Sequence, residues 1–155
     1  MVLSENLNPL NILVNSDAKT RWDLIKEMVS LAARNALIPE GAEQDITQAL
    51  IDREKSMSTG IGKGVAIPHC SIPNVDDIIV LMATNEKGIN FDAIDSLPVK
   101  IVIMLLVPKT KLTQHIKTLA NIAKMMSDDA FKESLLTFSK AEEIFNYIKS
   151  YESKK

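Results

Sequence analysis

Apolar positions along the chain change their period more than once. After Ser16 and Asp17, either of which suits a helix N-cap, they recur at Trp22, Ile25, Met28, Val29, Ala32, Ala33 and Ala36. That is the spacing of an amphipathic helix, and it stops before Pro39. Residues 42–55 repeat it, with Ile46, Ala49 and Leu50 on one face. Arg53 follows Ile46, Ala49 and Leu50 at helical intervals, so the pattern puts a cation on the apolar side. The period is then lost. Residues 56–64 are small and polar and hold three of the chain's five glycines, before a short β-type run over 65–68.

Two continuous apolar runs follow, 78–82 and 101–107. They are rich in β-branched residues and do not alternate, which predicts central strands covered on both faces and paired with each other. Between them, 85–88 reads as a turn and 90–98 as a surface connection. The helical stripe returns at Leu112, Ile116, Leu119, Ala120, Ala123 and Met126, predicting a helix over 112–126. Two shorter helices are expected over 129–137 and 141–152, each preceded by Ser or Asp. There is no internal repeat and no linker. Strands enclosed by helices at both ends of the chain predict an α/β sandwich with a mostly buried sheet, one domain over 1–155.

Composition narrows the class. With 155 residues, 46% hydrophobic and 25% charged, the chain has the make-up of a globular domain rather than a disordered one. Eighteen Lys and Arg against 20 Asp and Glu leave a net charge of −2, which speaks against a nucleic-acid or anionic-membrane footprint. No apolar run approaches the roughly 20 residues of a membrane-spanning helix, and the first residues lack a signal-peptide pattern. Cys70 is the only cysteine, so no intrachain disulfide or thiolate cluster can form, and a reducing cytoplasmic location is expected.

The two histidines, His69 and His115, must carry any imidazole chemistry. His69 ends the β-type run directly after Pro68, whose fixed φ constrains the approach of the backbone. A neutral imidazole is a ready nucleophile near pH 7. The plainer reading is a histidine closing a strand end. Ser58, Thr59 and the loop glycines, Gly60 and Gly62 among them, have hydroxyls and N–H groups suited to a concave anion site. Arg53 adds a planar cation, although it also reads as a side chain reaching solvent. His115 falls on the flank of the later helical stripe, where it either supports an anion or packs half-buried. Cys70 and the Met125–Met126 pair read as packing. The loop fits neither G-x-x-x-x-G-K-[ST] nor G-x-G-x-x-G, and the chain contains no H-E-x-x-H or G-x-S-x-G. Histidine-centred anion chemistry is what remains.

The run from Arg53 through Glu54, Ser58, Thr59, Gly60, Ile61, Gly62 and Gly64 to Ala66, Ile67, Pro68 and His69 reads R-E-x-x-x-S-T-G-I-G-x-G-x-A-I-P-H. It resembles the signature of the fructose/mannitol/nitrogen (type 2) enzyme IIA domains of the bacterial phosphotransferase system. Asn90-Phe91-Asp92-Ala93-Ile94-Asp95, Leu105-Leu106-Val107-Pro108 and His115-Ile116-Lys117-Thr118-Leu119-Ala120 extend the likeness over almost the whole chain.

The resemblance implies an α/β fold with a mixed β-sheet flanked by helices on both faces. It makes His69 the phosphorylated histidine, at Nε2, with Arg53 and His115 lining the same site. Ser58, Thr59, Gly60 and Gly62 belong to the surrounding phosphate-binding loop. No metal or cofactor is implied. The phosphoryl donor is a phosphohistidine carrier, HPr or its nitrogen-branch counterpart, and in sugar branches an enzyme IIB cysteine is the acceptor. The alternative is a nitrogen-type regulatory protein that binds partners according to its phosphorylation state, a branch that the 91–95 segment favours. Ile61, Val65 and Ile67 are expected as apolar rim contacts for docking.

Overall fold

The computed structural model describes residues 3–154. Its frame is the predicted strand pair: β5 (Ile79–Ile89) and β6 (Val99–Pro108) run antiparallel, with Ile79 opposite Leu106 and Met82 opposite Ile103. Parallel neighbours flank them. β1 (Ile12–Leu13) lies along β5, while β3 (Val65–Ala66) and β4 (His69–Ile72) lie along β6; β2 (Gly60–Gly62) forms a hairpin with β3. The sheet is therefore mixed, in the order β1-β5-β6-β3-β2.

Alternation along β6 divides the core in two. Ile101, Ile103, Leu105 and Val107 face a layer containing Ile122, Phe131, Leu135, Ile144 and Ile148, from α4 (Leu112–Met125), α5 (Asp129–Leu135) and α6 (Ala141–Ser153). Val102, Met104 and Leu106 face the opposite layer, built from α2 (Arg21–Arg34) and α3 (Glu43–Ser56). Both faces of β6 are covered from Ile101 on, which is why residues 101–107 are continuously apolar. No described helix is long and apolar enough to cross a membrane.

Several local expectations are corrected. α2 is capped by Thr20, whose hydroxyl accepts the Asp23 N–H at 3.1 Å, rather than by Ser16 or Asp17. Ser16 is buried and donates to Glu27 at 2.5 Å while accepting the Ala18 N–H, so its hydroxyl shapes a turn ahead of the helix. Ala36 lies beyond the helix at φ 55°. Residues 85–88 are a bulge inside β5, not a turn between strands: β5 advances from Thr84 to Ile89 while β6 moves only from Ile101 to Val99. Asn85 closes the bulge, taking the Gly88 N–H on Oδ1 at 2.8 Å and giving Nδ2 to the Ser16 carbonyl at 2.9 Å. Gly88 has φ 83°, and a Cβ there would stand 2.7 Å from the Pro98 side chain.

The run predicted over 65–68 continues past its expected end. Val65 pairs with Ile101, Ala66 with Val102 and His69 with Leu105, one unbroken register interrupted only at residues 67–68. Pro68 has no N–H to give, but its carbonyl accepts the Leu105 N–H at 2.9 Å. The N-terminal elements, α1 (Leu3–Asn6), a 3-10 turn at Pro9–Asn11 and β1, carry too few residues to show a period.

Candidate active site

His69 opens β4 on the side of the sheet that carries Val65 and Ile67, facing the α4 layer. Its Nδ1 is 2.8 Å from the Ile67 carbonyl oxygen. A carbonyl only accepts, so Nδ1 carries the proton and Nε2 keeps its lone pair. Burial lowers the pKa of the ring below the ordinary 6.5; the Arg53 cation acts in the same direction, and the Ile67 bond and Glu54 oppose it. The result is an imidazole that favours the neutral form, with the Nε2 lone pair available for bonding.

His115, on the first turns of α4, brings its ring centroid to 5.0 Å from that of His69, the planes inclined at 49°. Its pKa is lowered as well, by burial and then by His69. Its Nδ1 is buried without a hydrogen-bond partner among the described residues. Arg53 stands in the last turn of α3 and gives Nη1 to the Met57 carbonyl at 2.7 Å. That bond uses one of the five guanidinium donors and leaves the cation close enough to act on His69. The fold thus brings His69, His115 and Arg53 together from β4, α4 and α3.

The loop residues are arranged differently from the sequence reading. The Ser58 hydroxyl donates to the Phe91 carbonyl and accepts the Gly60 N–H at 3.0 Å. Thr59 is buried, with its N–H at 3.0 Å and its hydroxyl at 2.5 Å from Glu54 Oε2. The Lys63 N–H goes to Asp95 at 2.7 Å. Both hydroxyls and the N–H groups of residues 59, 60 and 63 are therefore spent inside the scaffold instead of opening into one concavity. Gly60 permits close approach, since a Cβ there would stand 2.8 Å from that of Ala93. Gly62, at φ 93°, shapes the hairpin. Val65 and Ile67, expected on the rim, are core residues at 0% and 3% exposure. Ile61 is exposed as expected, and Met57, Ile94 and Ile116 are exposed with it.

Glu54 and Arg21 went unassigned by the sequence. The Glu54 side chain is fully buried and pairs with Arg21 Nη1 at 3.2 Å; the same nitrogen reaches the Phe91 carbonyl at 2.9 Å, and Nη2 reaches Asp92. A signal was present: Glu54 follows Leu50 by one helical turn, and a carboxylate on a buried stripe requires a partner. Cys70 packs against the α2–α3 core, on the face opposite His69, and burial pushes its thiol up to about 11. Among the described residues no three His, Cys, Asp or Glu converge as a metal site would require.

A neutral histidine at a strand start, with a second histidine and an arginine beside it, lies on a mixed sheet between helical layers. Over residues 5–151 the chain matches the family described as phosphoenolpyruvate-dependent sugar phosphotransferase system, EIIA 2, and it belongs to that family of phosphotransfer components. It is 32% identical over 146 residues to the Nitrogen regulatory protein of Pseudomonas aeruginosa, covering 94% of each. It is 24% identical to the fructose-specific EIIABC component of Bacillus subtilis, covering 98% of this chain and 24% of that protein. The crystal structure of nitrogen regulatory protein IIA-Ntr from Neisseria meningitidis superimposes with a TM-score of 0.85 at 30% identity, over 96% of this chain and 99% of that one.

Proposed function

We propose that the chain is a phosphocarrier that takes a phosphoryl group on Nε2 of His69 from a phosphohistidine carrier protein, HPr-like or its nitrogen-branch counterpart, and passes it on to an enzyme IIB. The observation that carries this reading is the bond from His69 Nδ1 to the Ile67 carbonyl, because it fixes the tautomer that leaves Nε2 unprotonated. The Nε2 lone pair forms the new N–P bond as the donor's N–P bond breaks and its electron pair returns to the donor ring. The proton on Nδ1 stays in place, so the His69 ring carries positive charge while phosphorylated and leaves as neutral imidazole when the group moves on.

The transition state is loose and needs positioning and charge stabilisation at the equatorial oxygens. Arg53 supplies the fixed cation and His115 a neighbouring ring nitrogen. Arg53 leaves the Met57 carbonyl, or shares its fork, to reach the phosphoryl oxygens. The exposed apolar side chains of Met57, Ile61 and Ile116 suit a docking rim.

The test is to combine the chain with enzyme I, each candidate carrier and labelled phosphoenolpyruvate. Acid-labile label should appear on the native chain and be absent from a His69→Ala variant; undiminished labelling of that variant overturns the assignment. A second reading shares the site and changes the destination: a regulatory protein that binds partners according to its phosphorylation state without passing phosphate towards a sugar. Over nearly the whole chain, the 32% identity to a nitrogen regulatory protein against 24% to a fructose component favours it, although a fructose-specific EIIA component reaches 35% over 57% of the chain. Onward transfer to candidate IIB proteins separates the two.

A further inference from the structure

The last turn of α3 holds the segment 57–59 with two consecutive side chains. Arg53 donates to the Met57 carbonyl, and Glu54 accepts both the N–H and the hydroxyl of Thr59. Glu54 is 1% exposed, and its further partner is Arg21 of α2, which also grips the Phe91 carbonyl and Asp92. The Phe91 carbonyl in turn receives the Ser58 hydroxyl. One buried carboxylate therefore joins α2, α3, the loop around Phe91 and the start of the β2–β3 hairpin.

Such a charge is an expensive anchor. A carboxylate withdrawn from water costs several kcal/mol unless it is fully bonded, and core residues of similar volume would hold two helices together at less cost. Its location suggests a use. It adjoins the phosphate-directed cation in sequence, fixes the loop that carries Arg53's resting acceptor, and places negative charge within electrostatic reach of the His69 ring.

Resting on the phosphocarrier reading, we propose that Glu54, held by Arg21 and Thr59, is a positioning residue for phosphoryl transfer: it sets where Arg53 and the hairpin stand, and it supplies the countercharge for the positive charge that the His69 ring acquires. Two effects follow, and they separate. Loss of the anchor slows transfer through geometry. Loss of the carboxylate moves the protonation of His69 towards the neutral form, because Glu54 favours the cation. The other groups that act on His69 are Arg53 on α3, His115 on α4 and the Ile67 carbonyl two residues before it.

The experiment is an NMR titration of the His69 ring in the unphosphorylated full chain, together with the rate of transfer from the carrier, for Glu54→Gln, Arg21→Met and Thr59→Val. The midpoint should fall in Glu54→Gln, and transfer should slow about tenfold or more in both Glu54→Gln and Arg21→Met. A merely structural role would leave the midpoint unmoved in Glu54→Gln, and that result overturns the proposal. Thr59→Val removes one bond and no charge; slower transfer with an unchanged midpoint and a native circular dichroism spectrum is expected, and a native rate counts against the anchor. This variant also decides the matter if the charged-pair variants do not fold. Failure of the phosphocarrier reading itself shows as absent label on the native chain, and the titration still reads Glu54 independently of it.

Discussion

The Nδ1 atom of His69 is bonded to the carbonyl oxygen of Ile67, two residues earlier on the same edge of the sheet, at 2.8 Å. This contact needs no partner protein and no ligand. It is formed by the backbone as it leaves the Ile67-Pro68 step, where Pro68 stiffens the chain and its carbonyl is tied to the Leu105 N–H. The His69 ring is therefore oriented by the chain itself.

Transfer to His69 should persist below pH 6.5. Burial, aided by Arg53, lowers the folded-state pKa of the ring, so Nε2 keeps its lone pair at pH values where a free histidine would be half protonated. The sign for stability follows from the same shift. Between 6.5 and the lower folded midpoint the unfolded chain binds a proton that the native chain does not, so stability falls as pH falls through that window. A His69→Gln variant should lose stability less steeply there. Urea midpoints measured across the window, with transfer rates on the native chain, check both statements.

Replacing Arg53 by Ala should slow phosphoryl transfer by roughly 10²-fold, the usual scale for removing a fixed donor from a charge-stabilising site. Stability should change by no more than about 1 kcal/mol, because the side chain is partly exposed and its one hydrogen bond caps the end of a helix. Lys at this position should restore only part of the rate, since a point charge lacks the guanidinium fork. Single-turnover transfer from labelled carrier measures the effect; a native rate would reduce Arg53 to a surface residue.

His115→Ala should slow transfer by about tenfold, in the range found for a positioned acid–base group. It should leave stability nearly unchanged, because the variant also removes a buried Nδ1 that has no partner among the described residues. A combined loss of fold and transfer would instead make His115 a packing residue. Thermal unfolding alongside the rate measurement decides between them.

Gly60→Ala should destabilise the chain by about 1–3 kcal/mol, the cost of overpacking where backbone has to move. The new Cβ would stand 2.8 Å from the Ala93 Cβ and 3.2 Å from its Cα. Transfer should slow in parallel, since the hairpin leads directly to His69. A denaturation curve with a shifted midpoint and an unchanged slope is the expected signature.

The two central strands were legible because the runs 79–83 and 101–107 are covered on both faces and so carry no polar residue. The later helices were legible because each has one wet face. The bulge at residues 85–88 was not, because Asn and Gly serve a turn and a bulge equally well; here Asn85 bonds back to residues 16 and 88 across the fold. The cap of α2 was misplaced for a similar reason. Ser16, Asp17 and Thr20 are all competent caps, and only the packing of Ser16 against Glu27 selects Thr20.

For the site, the sequence by itself determined the chemical inventory: two histidines, a signature arginine, and a glycine-rich stretch before Pro68. It named His69, His115 and Arg53 as a set, and the fold gathers them from β4, α4 and α3. The direction of the loop hydroxyls, the protonated nitrogen of His69 and the partners of Glu54 were decided only by tertiary structure. Each depends on a partner distant in sequence or on the path of the backbone: Phe91 for Ser58, Arg21 for Glu54 and a carbonyl orientation for His69. A residue type limits which hydrogen bonds are possible, and the packed chain selects among them.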